Sequence, residues 1–501
     1  MRRWWVVTAV LVLTIGAQST RIASQPAWSL GEAAKPYRGI TLRMIGEALN
    51  PLASLDKQKA LFEKETGIKV TIEQRAFDQV LEKTTADFAG KTGIYDLFLN
   101  PHVQLATLVT NRWVRPIDEF LRDHKLNDPQ FNLERDVISK GWLHSTLGYK
   151  GQLYGVPFSA HTIYLNWRWD VFEHPEEIKA FRAKYGYDLP SPPVTMSQLR
   201  DTAEFFTRKK GQKLAGATLA HDIYGITLSG KRHVSTLWNW YNFLYAFNGT
   251  VVDAPTGDDY GKVVVNSDAA MASLELYKEL ITKFAPPGSL TYTWDEQLAA
   301  LQTGLAMSAL LWADASYAIS VDPTQSKVIG KMAYSGTPIQ RRKISNLHQW
   351  GMFIPASSKH PAAAWLFLQW TQRPEIQAKL MSTGSISLSE RSYQVSDVYK
   401  IDYAPTHYFI LAGRPLVVQG RPALRKRGSA WGLPPEYLSA KDPVTGKTTA
   451  EPFKLERFPE YIRMQDILQR YLSDILAGRY SPREGLNQAA NEIRKAIPKL
   501  K

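Results

Sequence analysis

The stretch GVPFSAHTIYLNWRWDVF, from Gly155 to Phe172, places two tryptophans, two phenylalanines and a tyrosine beside polar groups on a segment that partly alternates like a β-strand. Three interpretations fit this pattern: a buried core, a face that contacts a ligand, and part of a catalytic pocket. The sequence on either side of the stretch distinguishes them.

The first residues predict export. Met1-Arg2-Arg3 is a short cationic start, and the apolar run from Trp4 to Ile15 is too short to span a bilayer. We therefore predict a signal peptide over residues 1–25, cleaved after Ala17 or near Ala23. The chain has no cysteine for lipid attachment, so we expect a soluble periplasmic protein that is not a lipoprotein.

The composition excludes several classes of protein. The chain has 501 residues, 44% of them hydrophobic, which is enough for two or more domains with large cores. The absence of cysteine excludes disulfides, thiol nucleophiles and cysteine metal sites. The formal net charge is +14, but the basic residues are spread along the sequence, so we expect no nucleic-acid binding.

The N-terminal part follows the pattern of a parallel sheet covered by helices. Apolar periodicity predicts strand, helix, strand, helix, strand, over residues 40–46, 52–66, 68–74, 77–88 and 95–99. Gly67 follows the first helix as a helix stop. The fold class is therefore α/β.

A second α/β unit follows in the sequence. It contains a strand at Tyr224 to Leu228, a helix over about 235–247, a hairpin around Gly257-Asp258 and a helix over 268–283. Later strands are LAMSALL (305–311) and WGMFIP (350–355), and helices dominate after them. The segment 413–459 is rich in Pro, Gly, Lys and Arg, which predicts a long surface connection.

Catalytic motifs are incomplete. GITLSGKR (225–232) resembles a phosphate-binding loop, but Arg232 replaces the hydroxyl that would hold magnesium. There is no Gly-x-Ser-x-Gly elbow and no His-Glu-x-x-His. We expect no enzyme, no cofactor and no metal. A glycoside hydrolase stays open as an alternative, because Asp170, Asp295 and Asp314 lie near aromatic residues; each is explained more simply as a helix cap or a solvated charge.

The chain contains 15 Trp and 23 Tyr, which is typical of carbohydrate binding when the rings reach a pocket. Several polar and aromatic residues follow predicted strands, where open α/β sheets bind ligands. Trp312 follows LAMSALL, Asn100 and His102 follow YDLFL, and Glu47 follows ITLRMIG. Trp350 begins a predicted strand instead.

The order of these segments resembles the family 1 extracellular solute-binding proteins of ABC importers, the sugar-binding group that includes the maltose-binding protein. The matching pieces run collinearly from about residue 39 to the C-terminal helix. They are LFEKETGIKVTIE, TGIYDLFLN, GQLYGVPFSAHTIYLNWRWDVF, LQTGLAMSALLWADA, HQWGMFIPASSKHPAAAWLFLQWTQRPEIQ and TGSISLSERS.

The resemblance implies two hinged α/β lobes that enclose a ligand in the cleft between them. Mapped onto this sequence, it implies a first lobe of residues 39–153 plus 305–350 and a second lobe of residues 160–300 plus 356–501. The implied crossings lie near 154–159, 301–304 and 351–355. Phe158 and His161 then lie by the cleft, while Trp167, Trp169 and Phe172 pack inward.

The resemblance also implies a set of ligand contacts. At the position beyond Gly-Val-Pro where many sugar binders carry an acidic residue or Asn, this sequence has Ser159-Ala160-His161, so the hydroxyl-reading set differs from theirs. The implied contacts are Glu47, Asn50, Asn100, His102, Phe158, His161, Trp238, Trp240, Trp312, Asp314, Trp350, Gly351 and Ser385.

The resemblance implies the substrate-binding component of an ABC importer. We expect a monomer that captures a carbohydrate or polyol and delivers it to the transmembrane permease subunits. The alternatives are a secreted glycoside hydrolase and a binder of an anionic or peptide solute.

Overall fold

The computed structural model describes residues 28–137, 140–253, 260–320, 323–395, 417–418, 421–422, 441–447, 451–452 and 458–501. The predicted signal peptide, the predicted hairpin around Gly257-Asp258 and most of the predicted 413–459 connection lie outside the described residues. Within these ranges, no helix is both long and apolar enough to cross a membrane.

A parallel three-stranded unit forms the N-terminal part, as the periodicity predicts. Strand β1 (Thr41–Glu47) lies between β2 (Lys69–Arg75) and β3 (Leu97–Pro101) and is parallel to both. Helix α1 (Asn50–Thr66) joins β1 to β2 and ends at Gly67, whose φ of 74° is the left-handed conformation that glycine adopts without strain. Side chains that follow β1 and β3 therefore meet at one edge of the sheet.

The largest sheet has eight strands. Besides β1 to β3 it contains β4 (Gly155–Arg168), β5 (Ser308–Trp312), β6 (Met332–Ser335), β7 (Ile344–Phe353) and β8 (Glu451–Pro452). The strand order along the main path is β5-β4-β7-β3-β1-β2; β6 pairs with β4, and β8 pairs with β7.

Strand β4, which carries the stretch that opened the sequence analysis, links two groups of strands. Its first half pairs with β7, which also pairs with β3, and its second half pairs with β5 and β6. Residues 155–167 of β4 are all buried, because sheet neighbours and helices cover both faces. The register of β4 and β7 shifts between Trp350 and Gly351, which marks a β-bulge.

Thirteen helices of eight or more residues occur in the described part of the chain. After α1 they are α2 (Phe77–Gly90), α3 (Lys140–Leu147), α4 (Pro175–Tyr185), α5 (Met196–Phe206), α6 (Val234–Ala246), α7 (Asp268–Glu279), α8 (Trp294–Gln302), α9 (Ala313–Ser320), α10 (Pro361–Thr371), α11 (Pro374–Met381), α12 (Tyr461–Leu476) and α13 (Pro482–Ala496). The four helices whose ranges were predicted, α1, α2, α6 and α7, begin and end within a few residues of the predicted positions.

The pairing of strand β5 crosses one predicted lobe boundary. Strand β5 was assigned to the first lobe, but it pairs with residues 163–167 of β4, and bridges join Tyr224 to Ala306 and Thr227 to Ala309. These partners belong to the segment assigned to the second lobe. The position of the second crossing stays a prediction.

Helix α10 also packs differently from the prediction, which placed residues 356–501 in the second lobe. The Phe62 ring of α1 contacts Phe367 and Trp370 of α10, with ring centroids 5.0 and 5.7 Å apart. Trp365 of α10 stacks on Phe120 at 5.7 Å. Residues 361–371 thus pack on first-lobe elements because their apolar face complements α1. The other lobe bounds stay a prediction.

Candidate ligand-binding site

A cavity of about 230 Å³ lies where the ends of β1 and β5 and the middle of β7 approach helices α6 and α8. Its lining combines indole rings, carboxylates, amides and small apolar side chains. The lining residues are Glu47, Ala48, Leu49, Asn50, His161, Trp238, Trp294, Asp295, Leu298, Leu311, Trp312, Asp314, Ala315, Ala318, Gln325 and Trp350.

Strand ends and helix starts position the polar residues of this cavity. Glu47 is the last residue of β1, and Asn50 is the first residue of α1. Asp314 lies in the first turn of α9, directly after β5. Asp295 lies in the first turn of α8, where Thr293 and Glu296 form a capping box. Several strand-to-helix connections thus begin at the cavity.

The aromatic wall is formed by four tryptophans. The Trp238 and Trp294 rings stack with an interplanar angle of 20° and centroids 6.1 Å apart. Trp312 meets Trp238 edge to face at 5.7 Å. Phe77 of α2 supports Trp238, Trp294 and Trp350 from behind, with centroid distances of 5.8 to 6.0 Å. Such rigid, flat walls suit the C–H faces of a polyhydroxylated solute.

His161 lies on the floor of the cavity. Its Nδ1 is 3.6 Å from Asp314 Oδ1, and only 4% of the side chain is exposed. Burial lowers the pKa of His161, although the Asp314 charge acts in the opposite direction. The carboxylate favours the tautomer with the proton on Nδ1, so the buried Nε2, which has no hydrogen-bond partner in the structure, serves as an acceptor.

Carboxylates give the cavity a negative field. Burial raises the pKa of Glu47 well above its ordinary value, and the charges of Asp314, Asp295 and Asp78 raise it further. The pKa of Asp295 is also raised, first by burial and then by neighbouring carboxylates. Among the described residues, no lysine or arginine lines the cavity.

Seven of the thirteen predicted contacts line this cavity: Glu47, Asn50, His161, Trp238, Trp312, Asp314 and Trp350. Glu47, Trp312 and Trp350 reach the cavity from three different strands, β1, β5 and β7. Trp350 lies in the middle of β7, which begins at Ile344, and not at the start of a strand as predicted.

Six predicted contacts lie elsewhere, and local hydrogen bonds or close packing explain why. Asn100 donates to Gln104 Oε1 at 2.8 Å, and His102 Nδ1 accepts from the Gln349 backbone at 3.1 Å. The Phe158 side chain is fully buried, and Ser385 Oγ donates to the Phe158 carbonyl at 3.2 Å.

The remaining two are Trp240 and Gly351. Trp240 lies two residues beyond Trp238 on α6, so it points away from the cavity and donates from Nε1 to Ser273 Oγ at 3.1 Å. Gly351 is packed closely: a Cβ there would lie 2.6 Å from Leu147 Cδ2.

Trp294 and Asp295 were not predicted as contacts. The sequence analysis explained Asp295 as a helix start, which is correct, but the same helix start borders the cavity. A tryptophan beside an acidic residue at a helix N-terminus was the available signal. Leu298 and Gln325 carry no comparable signal in the sequence.

The comparisons with known proteins agree with this geometry. A family model described as bacterial extracellular solute-binding protein matches residues 46–378. The chain belongs to this family. The resemblance stated from the sequence is thereby confirmed, and so is the two-lobed α/β fold that it implies.

Among curated relatives of this solute-binding protein is the mannitol-binding protein of Pseudomonas aeruginosa, 26% identical over 294 residues. That match spans 58% of this chain and 58% of the relative's length. The erythritol/L-threitol-binding protein of Mycolicibacterium smegmatis is 22% identical over 359 residues, which are 70% of each chain.

Solved structures of solute-binding proteins are similar over nearly their whole length. An ABC transporter solute-binding protein from Agrobacterium radiobacter, in complex with ribitol, has a TM-score of 0.69 and 25% sequence identity. The similarity covers 92% of this chain and 99% of that one.

Proposed function

We propose that this chain is the substrate-binding component of an ABC importer and that it captures one polyol or monosaccharide-sized sugar in the cavity. The observation that carries the proposal is a small cavity walled by four indole rings and lined by hydrogen-bond acceptors. The relatives that bind mannitol, erythritol or ribitol support the same ligand class.

The size of the cavity favours a single small solute. A volume of about 230 Å³ is below the roughly 300–1,000 Å³ of pockets for drug-sized ligands. A four- to six-carbon skeleton suits this space better than an oligosaccharide.

The chemistry of the lining disfavours an anionic solute. The acceptors of Glu47, Asp295, Asp314 and His161 complement hydroxyl donors, whereas a phosphate or carboxylate would face like charges. The formal charge of +14 therefore belongs to the rest of the molecule and does not describe the site. A polyhydroxylated solute gives each acceptor a donor.

Because the chain belongs to the bacterial extracellular solute-binding proteins, the proposed function includes delivery of the bound solute to a membrane permease. The protein acts as an exported monomer, the cavity closes around the solute, and the closed form is the one that the permease engages. Binding without turnover is the activity, with an affinity in the micromolar range, about 8 kcal/mol.

The test is a panel of erythritol, ribitol, D-mannitol, D-glucitol, D-glucose and maltose with the purified protein. Thermal unfolding and calorimetry measure binding, because a ligand that binds only the folded state raises its stability. We expect one or more alditols or monosaccharides to bind unchanged. No stabilisation by any compound would contradict the proposal, and release of reducing ends from glycosides would favour the hydrolase.

A further inference from the structure

Three cavity carboxylates have no cationic side chain as partner within the described part of the chain. Among the described residues, no lysine or arginine lies within 4 Å of Glu47, Asp295 or Asp314. The basic groups near them are His161, beside Asp314, and His233, near Asp295. The Glu47 side chain is buried, with 8% of its surface exposed. A buried carboxylate without a counter-charge is costly, so the position of Glu47 is unusual for a purely structural site; Asp314 is partly exposed and Asp295 is exposed.

The other buried carboxylates in the described part of the chain have hydrogen-bond partners: Asp87 and Asp96 accept from neutral groups, and two more pair with arginines. Glu177 accepts from Arg208 at 2.6 Å, and Asp442 accepts from Arg342 at 2.9 Å. The chain carries 61 lysines and arginines against 47 acidic residues, so cations were available to neutralise the cavity as well. The negative field is therefore a local property of this cavity.

Two further observations point to a positively charged group on the ligand. His161 lines the cavity, and its buried Nε2 lacks a hydrogen-bond partner in the structure; with the proton on Nδ1, Nε2 can accept from an N–H or O–H donor. The Trp238 and Trp294 rings lie side by side on the wall, and indole faces attract ammonium groups. Burial and mutual repulsion keep the pKa of Glu47 raised in the empty cavity, and a cation would relieve that repulsion.

We propose that the preferred solute carries a protonated amino group on its polyhydroxylated skeleton, as in an amino-alditol or an amino sugar. This inference rests on the proposed function and deepens it: the hydroxyls fill the cavity and stack on the tryptophans. The ammonium group lies among Glu47, Asp295 and Asp314.

Matched ligand pairs test the inference on the wild-type protein. D-glucitol is compared with 1-amino-1-deoxy-D-glucitol, and D-glucose with D-glucosamine, by calorimetry at pH 7 in 50 mM and 300 mM NaCl. We expect the amine of at least one pair to bind about tenfold more tightly or better than its neutral partner. Its advantage should shrink at high salt, while the neutral partner's affinity stays constant.

The outcomes separate this inference from the proposed function. Neutral polyols that bind as well as or better than their amines overturn the inference alone. If no compound of either kind binds, both fall together.

Two variants locate the ammonium group. In Glu47→Gln and Asp295→Asn the ratio of amine to neutral affinity should fall toward one. Asp188→Asn is the matched control, because it removes the same charge from an exposed ion pair with Arg182, away from the cavity. A ratio that falls equally in the control would contradict the assigned position.

Discussion

His233 Nε2 lies 3.3 Å from Asp78 Oδ1, at the side of the cavity and outside its lining. His233 is the N-cap of α6, and its Nδ1 accepts from the Ser235 backbone, so Nε2 carries the hydrogen that faces Asp78. Asp78 lies in the first turn of α2. The contact joins segments that the sequence assigns to different lobes.

Removing this contact should weaken binding modestly. The Asp78 side chain is 70% exposed, and exposed pairs contribute at most about 1 kcal/mol, so Asp78→Asn should raise the Kd by no more than about fivefold. Calorimetry with the best ligand measures the effect. Asp222→Asn, which loses an exposed pair with Lys209, is the control. Equal Kd values for Asp78→Asn and wild type would show that the contact does not favour closure.

The Glu47→Gln variant should be more stable than wild type at pH 8 when no ligand is present. The pKa of Glu47 is raised in the folded state, so folding favours the protonated form, and this contribution is lost as pH rises through the folded pKa. Glutamine avoids the loss. We expect a gain of about 1 kcal/mol or more in the free energy of unfolding.

Urea denaturation at pH 5 and pH 8 checks this prediction. The difference between Glu47→Gln and wild type should be larger at pH 8 than at pH 5. The same substitution should weaken ligand binding, since Glu47 lines the cavity. A variant that is less stable than wild type at pH 8 would contradict the assigned burial of charge.

For His348 we predict the opposite dependence of protein stability on pH. Its side chain is fully buried beside Trp238 and Trp312, and burial, followed by the charges of His102 and His161, lowers its pKa well below 6.5. The unfolded chain then binds more protons than the folded one below pH 6.5, so stability falls as pH decreases.

The variant His348→Leu should lose less stability than wild type between pH 7.5 and pH 5.5, by about 1 kcal/mol. Urea denaturation at the two pH values gives the difference. An unchanged slope in His348→Leu would mean that His348 is protonated in the folded protein.

Trp238 and Trp240 form a matched pair on one helix. Trp238→Phe shortens the cavity wall and should raise the Kd about fivefold or more, because the smaller ring covers less of the solute's apolar surface. Trp240→Phe loses the hydrogen bond to Ser273 and should cost about 1 kcal/mol of stability while the Kd is unchanged. Calorimetry and urea denaturation of both variants distinguish the two roles; reversed effects would contradict the placement.

Asp442 anchors the turn 441–447 against the start of β7. Its carboxylate accepts from Arg342 Nε and from the backbone N–H groups of Lys343, Val444 and Thr445 at 2.7 to 2.9 Å. Burial alone would raise its pKa, but these hydrogen bonds lower it to about 2. Asp442→Asn should therefore cost about 1–3 kcal/mol at pH 7.

The lowered pKa of Asp442 also determines the pH range in which its carboxylate stabilises the folded protein. Its contribution is present above pH 3.8 and is lost as pH falls through about 2, so Asp442→Asn and wild type should converge in acid. Urea denaturation from pH 7 to pH 3 follows the convergence. A constant difference over that range would indicate lost packing rather than a lost charge.

The sequence predicted the elements well because their signals are local. Helix α1 is flanked by a clear stop at Gly67, and helices α10 and α11 begin at prolines, Pro361 and Pro374, which are favoured in the first turn. The cavity residues at strand ends, such as Glu47 and Trp312, were found because α/β sheets bind ligands beyond the carboxyl ends of their strands.

The sequence predictions differed from the structure where contacts between residues far apart in the chain determine the position of a side chain or strand. Trp238 and Trp240 have the same local sequence context, and only the direction in which α6 packs separates a cavity wall from a core residue. Likewise, the pairing of β5 with β4 depends on residues about 145 positions apart in the chain. No local pattern specifies such a choice.

Strand β4 has a mechanical consequence for this protein. One uninterrupted strand of 14 residues belongs to two groups of partners, with β7 following it across the bulge at Trp350 and Gly351. Any rotation of one group against the other must twist this pair of strands along its length. The resistance of two hydrogen-bonded strands to torsion, and not a loose linker, then determines how readily the receptor opens to release its cargo.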